Sequence, residues 1–252
     1  MLEPDGSSYV QSLARGLAVI RAFSAERPRL SLSEVARLTG LTRASARRFL
    51  LTLESEGYVR TDGREFSLTP RVLELGYAYL SAQSLPEVAQ PHLEALSRTV
   101  GESASACVLD GQDIVYVARV PTRRIMSVGI TIGTRFPAYA TAMGRVLLAF
   151  AADAEVDTYF EGFQPERFTA RTLVDETALR TEIARVRQQG WSLVDAELEN
   201  GLRALAAPVR RGGAVVAAIN IAMTLGDDDA AALVPPLLET AAAITRDLDL
   251  VG

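Results

Sequence analysis

An α+β fold is predicted for this 252-residue chain, and three patterns predict it. Apolar residues recur at helical spacing as far as Gly57. An Asp-Gly pair at 62–63 then sits between two short alternating runs, the strongest short-range hairpin signal. From Ser103 onward, alternating runs arrive in pairs around glycine turns with longer helical stretches between groups, which indicates a mostly antiparallel sheet. A helical domain ending in a hairpin is expected over 1–70, a linker helix over 71–85, and a larger domain over 86–252.

The first helix is read from "SLARGLAVIRAF", where Leu13, Leu17 and Ile20, with Ala14 and Phe23 one step on, keep a helical period up to "SAERPR". "SLSEVARLTG" opens a second helix with a capping box of Ser31 and Glu34 and stops at Gly40. "LTRASARRFLLTLESEG" starts a third helix with Thr42 as N-cap and closes at Gly57. Two short helices joined through Thr39-Gly40-Leu41 suit a helix-turn-helix, and the hairpin in "YVRTDGREFSL" is its wing.

At about 100° per residue, Ala46, Phe49, Leu50 and Leu53 of the third helix fall on one stripe and face the core. Arg48 and Ala44 lie opposite, flanked by Arg47, Leu51 and Thr52, with Arg43 and Ser45 at the start of the helix. Such a face suits the DNA major groove, where arginine pairs bidentately with guanine and small residues permit close approach. Arg60 and Arg64 of the wing are placed for phosphates, and Arg15 of the first helix completes the candidate contact set. Taken singly, each arginine is explained as well by solvation of a helix face; the joint arrangement favours DNA.

Charge supports a division of roles. Residues 1–80 hold 11 arginines against 9 acidic residues, a balance of +2, while residues 81–252 hold 15 against 22, a balance of -7. No apolar run is long enough to cross a bilayer and the start "MLEPDGSSYV" has no basic segment followed by an apolar one, so a cytoplasmic, membrane-free protein is expected. One cysteine, Cys107, and one histidine, His92, supply neither a disulfide nor a zinc cluster nor a nucleophile-base pair, so no metal, cofactor or enzymatic activity is expected.

Along "TPRVLELGYAYLSAQSLPEVAQPHLEALSRTVG", Leu73, Tyr77 and Leu80, then Val88, Leu93 and Leu96, indicate two helices broken at Pro86. "SASACVLDGQDIVYVARV" reads as a hairpin turning at Asp110-Gly111, "RIMSVGITIG" as a third strand and "TAMGRVLLAFA" as a helix. "TALRTEIARVRQQG" is another helix, and "WSLVDAE", "LRALAAPVRR" and "AVVAAINIAM" are strands, the last two joined at Gly212-Gly213. "DDDAAALVPPLLETAAAITRDLDL" is a closing helical region interrupted at Pro235-Pro236, with Asp227 to Asp229 favourable at a helix N-terminus.

The runs "SLARGLAVIRAFS", "SLSEVARLTGLTRASARRFLLTLESEGYV" and "FSLTPRVLELG" resemble the DNA-binding domain of the IclR family of bacterial transcriptional regulators. "RFPAYATAMGRVLLA" and "GLRALAAPV" resemble that family's effector-binding domain, which is similar to GAF and PAS sensors. The wording from "DGQDIVYVARVPTRRIMSVGITIG" into that stretch is most similar to the branch responding to protocatechuate, 4-hydroxybenzoate and related aromatic acids. The resemblance implies double-stranded operator DNA and a small-molecule carboxylate as partners. It also implies a homodimer or dimer of dimers, with part of the contact carried by the linker.

In "GTRFPAYATAMG" a proline loop leads into a helix near Thr141, so the N–H groups of Ala142, Met143 and Gly144 are expected to face the pocket and favour a carboxylate. The resemblance places Val128, Ala142, Met143, Asp195, Leu202, Ala204, Asn220 and Ala222 around the ligand. Arg203 and Arg119 are rival partners for the carboxylate, and Tyr139 is a candidate for stacking on a ring or hydrogen bonding to it. Glu197 and Glu199 are read as a solvated strand edge, and Cys107 as buried apolar filler. The competing readings are a repressor responding to a small aliphatic acid, an enzyme with a fused DNA-binding domain, and an architectural DNA-binding protein.

Overall fold

A computed structural model describes residues 9–76, 84–122, 129–224 and 230–251. The chain forms two compact units, Met1–Ala82 and Gln83–Gly252.

The smaller unit runs α1 (Gln11–Arg21), β1 (Leu30–Ser31), α2 (Leu32–Thr39), α3 (Arg43–Ser55), β2 (Val59–Thr61) and β3 (Glu65–Leu68). Local chemistry sets the helix ends. Ser31 Oγ accepts the Glu34 N–H while Glu34 Oε2 accepts the Ser31 N–H at 2.8 Å, the reciprocal capping box expected from the sequence. These bonds from Ser31 hold the Glu34 carboxyl below the usual glutamate range. Gly40 ends α2 in the left-handed region at φ 66°, and Thr42 Oγ1 caps α3 through the Ser45 N–H. β2 and β3 form the wing, with Val59 opposite Leu68. β1 is an addition that two residues of sequence do not signal; it pairs Leu30 with Phe66, giving the sheet order β1-β3-β2.

Val19, Phe23, Leu30, Val35, Ala46, Leu50 and Val59 make the core of this unit. The expected α1 stripe is only half internal: Leu13 is 64% and Leu17 40% exposed, because Val19 and Phe23 occupy the face that the other two helices cover. A 3₁₀ turn at Pro70–Val72 and helical residues 73–76 follow, and residues 77–83 of the linker helix expected over 71–85 lie outside the described residues.

The larger unit opens with α4 (Ser84–Val100), followed by β4 (Ser103–Asp110), β5 (Asp113–Val120) and β6 (Arg135–Pro137). Pro86 lies in the first turn of α4, where its missing N–H has no helical partner to lose, and does not break the described helix; Pro91 also lies within it. Next come α5 (Ala142–Phe150), α6 (Asp153–Phe160), α7 (Glu176–Gln189), β7 (Ser192–Asp195), β8 (Leu202–Arg211), β9 (Ala214–Thr224) and α8 (Val234–Leu250). The strand expected over 124–133 is absent from its described part, where residues 131–134 turn instead and the strand starts at Arg135. Asp227 to Asp229 lie outside the described residues. Pro235 and Pro236 do not interrupt a helix but fall in the first turn of α8.

The strands form one six-stranded antiparallel sheet in the order β6-β5-β4-β9-β8-β7. Period-2 alternation gives it two apolar faces. Ala104, Val117, Leu205, Ile219 and Ile221 pack with residues of α4 and α8. Cys107, Tyr116, Ala206 and Ala218 face α5 and α7, leaving a cavity beside the start of α5. The fold class is therefore the expected one: a winged helix-turn-helix followed by a mixed domain with an antiparallel sheet.

Candidate functional site

Arg43, Ala44, Arg47 and Arg48 of α3 are exposed, as are Arg15 of α1 and Arg60 and Arg64 of the wing. Among the described residues none of these six arginines forms an ion pair, whereas Arg29 binds Asp62 at 3.1 Å and Arg71 lies 3.5 Å from Glu74. These arginines thus face outward from α1, α3 and the wing without ion pairs among the described residues, Arg60 donating only to Ser67 Oγ at 3.2 Å, while Arg29 and Arg71 are neutralised. Ser45 differs from the expectation, being half-buried with its backbone N–H and hydroxyl both bound by Thr42. The wing tip is built by Asp62, which accepts the N–H groups of Glu65 and Arg64 and is held below the usual aspartate range mainly by those bonds.

The cavity of the larger unit lies between the sheet and the N-terminus of α5 and has a volume of about 30 Å³. Ala142, Met143, Leu202, Ala204, Asn220 and Ala222 all line it, together with Tyr116, Ile130, Ala140, Thr141, Val194 and Leu198, for which the sequence held no separate signal. Val128 lies outside the described residues.

Three polar features enter this mostly apolar space. Thr141 caps α5 by accepting the Gly144 N–H at 3.0 Å, so Gly144 is not the free donor expected, and the N–H groups of Ala142 and Met143 remain. Asn220, only 4% exposed, carries an Oδ1 with no partner among the described residues, an orphan acceptor in the wall of the cavity. Tyr116 also lines the cavity, and burial pushes its phenol above the ordinary pKa.

Strand alternation decides between the two rival arginines. Arg119 pairs across the sheet with Ser105, which pairs with Asn220, so Arg119 shares the cavity face. Its Nη1 donates to Ser105 Oγ at 3.3 Å, no acidic partner occurs among the described residues, and burial lowers its pKa from the ordinary arginine value. Arg203 falls on the other face, with Leu205, while Leu202 and Ala204 face the cavity. Its Nη2 meets Asp195 Oδ2 at 3.2 Å, and Arg171 reaches the same oxygen at 3.1 Å. Arg203 and Asp195 are thus removed from the expected lining by the pleat of the sheet. Tyr139 is also corrected: its hydroxyl donates to the Glu166 carbonyl at 2.7 Å and accepts the Glu166 N–H, and its ring packs on Phe163 and Phe168.

Glu197 is not a solvated edge. Arg145 of α5, 3% exposed in its side chain, donates from Nη2 to Glu197 Oε2 at 2.6 Å and from Nε to the Tyr139 carbonyl at 2.9 Å. Gly144 packs against the turn before α5 so closely that a Cβ there would stand 2.2 Å from the Ala138 carbonyl oxygen. Neither feature had a local sequence signal, since both depend on contacts made in the folded chain. Cys107 is buried and its thiol pKa is pushed up by burial, as apolar filler requires. No group of residues suited to a metal ion occurs among the described residues, and no described helix is long and apolar enough to cross a membrane.

Comparison with known proteins matches both units to one family. The description "IclR helix-turn-helix domain" matches residues 12–63, and "Bacterial transcriptional regulator IclR C-terminal" matches residues 77–246. The Pca regulon regulatory protein of Pseudomonas putida is 42% identical over 248 residues, covering 98% of this chain and 84% of that protein. The p-hydroxybenzoate hydroxylase transcriptional activator of Acinetobacter baylyi is 40% identical over 219 residues, covering 84% of this chain and 80% of its own. A crystal structure of a transcriptional regulator from Rhodococcus sp. RHA1 superposes with a TM-score of 0.86 at 57% identity, over 97% of this chain and 100% of that one. The structure of an IclR homologue from Microbacterium hydrocarbonoxydans complexed with 4-hydroxybenzoate gives 0.85 at 26% identity, over 94% and 98%.

Proposed function

Because the chain belongs to the IclR family of bacterial transcriptional regulators, with a DNA-binding helix-turn-helix and no enzymatic role, we propose that it senses an aromatic carboxylate of the hydroxybenzoate type and transmits its binding to operator DNA. The observation that carries this reading is the composition of the cavity. It is a mostly alanine and aliphatic space with free helix N–H groups for an anion and an unpartnered Asn220 Oδ1 for a hydroxyl donor. A flat ring with an acid at one end and a phenol at the other matches that set. Names of relatives point the same way: a Pca regulon regulator, a p-hydroxybenzoate hydroxylase activator, and a homologue complexed with 4-hydroxybenzoate.

In this reading the α5 N-terminus and Arg119 attract the carboxylate. Arg119 has no acidic partner among the described residues and is already partly desolvated, so an incoming carboxylate gains a charge-assisted pair at little further dehydration cost. On the DNA side, Arg47 and Arg48 read bases from α3, Arg43 and Ala44 support its approach, and Arg15, Arg60 and Arg64 hold phosphates. Leu13 and Leu17 give α1 an exposed apolar stripe, which supports a homodimer or dimer of dimers on an inverted-repeat operator. The expected cytoplasmic location is part of the same proposal.

Calorimetric titration of the full chain with 4-hydroxybenzoate, protocatechuate, benzoate and a short aliphatic acid, followed by DNA binding with each acid that binds, tests the reading. The expected order places the hydroxybenzoates above benzoate, with the aliphatic acid last. Binding of the aliphatic acid alone, or turnover of any of them, would overturn it.

A further inference from the structure

We propose that Arg145 and Glu197 are positioning residues for the effector site: their ion pair holds the 196–201 strap, and with it Leu198, at a fixed distance from the N-terminus of α5. The proposal rests on the reading that this cavity takes the effector. Ala142 and Met143 form one wall from the first turn of α5, and Leu198 forms part of another from the loop between β7 and β8. A single guanidinium spans the two. Arg145 Nη2 grips Glu197 Oε2 at 2.6 Å, next to Leu198 in the chain, while its Nε grips the Tyr139 carbonyl at 2.9 Å, just before α5. The same Glu197 oxygen accepts the Leu173 N–H at 2.8 Å, so the carboxylate ties the strap, the helix and the 169–173 segment at one point.

Burial makes this pair more than a surface contact: the side chains are 3% and 13% exposed. A buried ion pair is commonly no more stabilising than apolar side chains of equal volume, because both charges lose water, but it is selective about geometry. The strap has ends suited to movement. Ala196 holds a left-handed backbone at φ 56° and Gly201 at φ 84°. Thr169 Oγ1 donates to the Ala196 carbonyl and Thr172 Oγ1 to the Glu197 carbonyl, each at 2.7 Å, which pins the root of the strap but not its separation from α5. That separation is what the ion pair fixes, and it sets the space available to a planar ligand.

The test uses the full-length protein, 4-hydroxybenzoate as probe, and the variants Glu197→Ala, Glu197→Asp and Glu197→Gln. Glu197→Ala releases the strap, Glu197→Asp shortens its reach by one methylene while keeping the charge, and Glu197→Gln retains an oxygen able to accept from Arg145 and Leu173. Calorimetry and stopped-flow dissociation should show the probe held roughly tenfold or more weakly by Glu197→Ala, mainly through faster release, and about threefold to tenfold more weakly by Glu197→Asp. Glu197→Gln should stay within about threefold of the parent, the rescue that a positioning role requires. If Glu197→Ala does not fold, Glu197→Asp carries the comparison. Lower melting temperatures with an unchanged dissociation constant in the folded variants would overturn the proposal, since a merely structural pair would behave that way.

If the parent protein does not bind 4-hydroxybenzoate, the aromatic-acid reading fails separately and hydrogen exchange decides the strap without ligand. Glu197→Ala or Glu197→Asp should then speed exchange at the Ala196 and Leu202 amides, bonded within the strap, and at Gly144 and Arg145, bonded to Thr141. Faster exchange at both places supports the positioning role; unchanged exchange in the first turn of α5 overturns it.

Discussion

Replacing Gly144 by alanine sets two effects of opposite sign against each other. Alanine is the better helix former by up to about 1 kcal/mol, so a helix considered alone gains stability. In the folded protein the new Cβ would lie 2.2 Å from the Ala138 carbonyl oxygen, 2.4 Å from its Cα and 2.6 Å from its carbonyl carbon. All three are backbone atoms, so no side-chain rotation relieves the overlap, and α5 must retreat from the 138–140 turn by about 1 Å to reach ordinary contact. Overpacking of this kind costs about 1–3 kcal/mol, the upper end applying where backbone meets backbone. The net expectation is a loss of about 1–2 kcal/mol, or several degrees at about 2–4 °C per kcal/mol for a domain of this size.

The same retreat moves the Ala142 and Met143 N–H groups. A hydrogen bond of about 2.9 Å lengthened by about 1 Å is no longer one, and charge-assisted bonds contribute about 1.5–3 kcal/mol each. Affinity for 4-hydroxybenzoate should therefore fall on the order of tenfold to a hundredfold, at about 1.4 kcal/mol per tenfold. Differential scanning calorimetry and titration calorimetry read the two effects. A Gly144→Ala protein as stable as its parent, binding the acid equally well, would refute the close apposition of α5 and the turn.

Arg119→Met should weaken hydroxybenzoate binding by roughly 2–4 kcal/mol while Arg203→Met, whose partner is Asp195, leaves it nearly unchanged; titration calorimetry showing the reverse would invert the assignment of the two sheet faces. Arg48→Ala should cost about 1–3 kcal/mol of DNA affinity and relax preference at one base position, whereas Arg64→Ala should weaken all sequences alike and flatten the salt dependence. Uniform losses in both variants, measured by fluorescence anisotropy on an operator and its point variants, would sink this division. Because the folded Asp62 pKa is lowered, its support of the wing is fully present above the unfolded value of about 3.9 and is lost as pH falls through the lower folded value. Amide exchange at Arg64 and Glu65, followed down the pH scale, should show Asp62→Asn lacking that acid transition.

Local rules made much of the small unit legible. The Ser31–Glu34 box, the Gly40 stop, the Thr42 cap and the Asp62–Gly63 turn each depend on residues within a few positions of one another, and each forms as its pattern implies. The hairpins at Asp110–Gly111 and Gly212–Gly213 were readable for the same reason. Helix α6 was missed because its eight residues, DAEVDTYF, are too short for a clear period. Periodicity named a stripe on α1 but not which part of it is covered, since the covering helices and wing are set by the whole unit.

Spacing along the chain is enough to give the two kinds of architecture, the arginine face of α3, a helix starting near Thr141 and the alanine-rich strands, whereas the Thr141 cap that binds the Gly144 N–H emerges only in the folded chain. Tertiary structure decided which arginine shares the cavity's side of the sheet, although neither lines the cavity itself, for a shift of one residue in a strand exchanges its two faces and only the register of β4, β5 and β9 resolves it. It also sent Tyr139 to Glu166, joined Arg145 to Glu197 across 52 positions, and left no room beside Gly144. Those contacts join residues far apart in the chain, and their energies depend on burial and on separations that packing alone establishes.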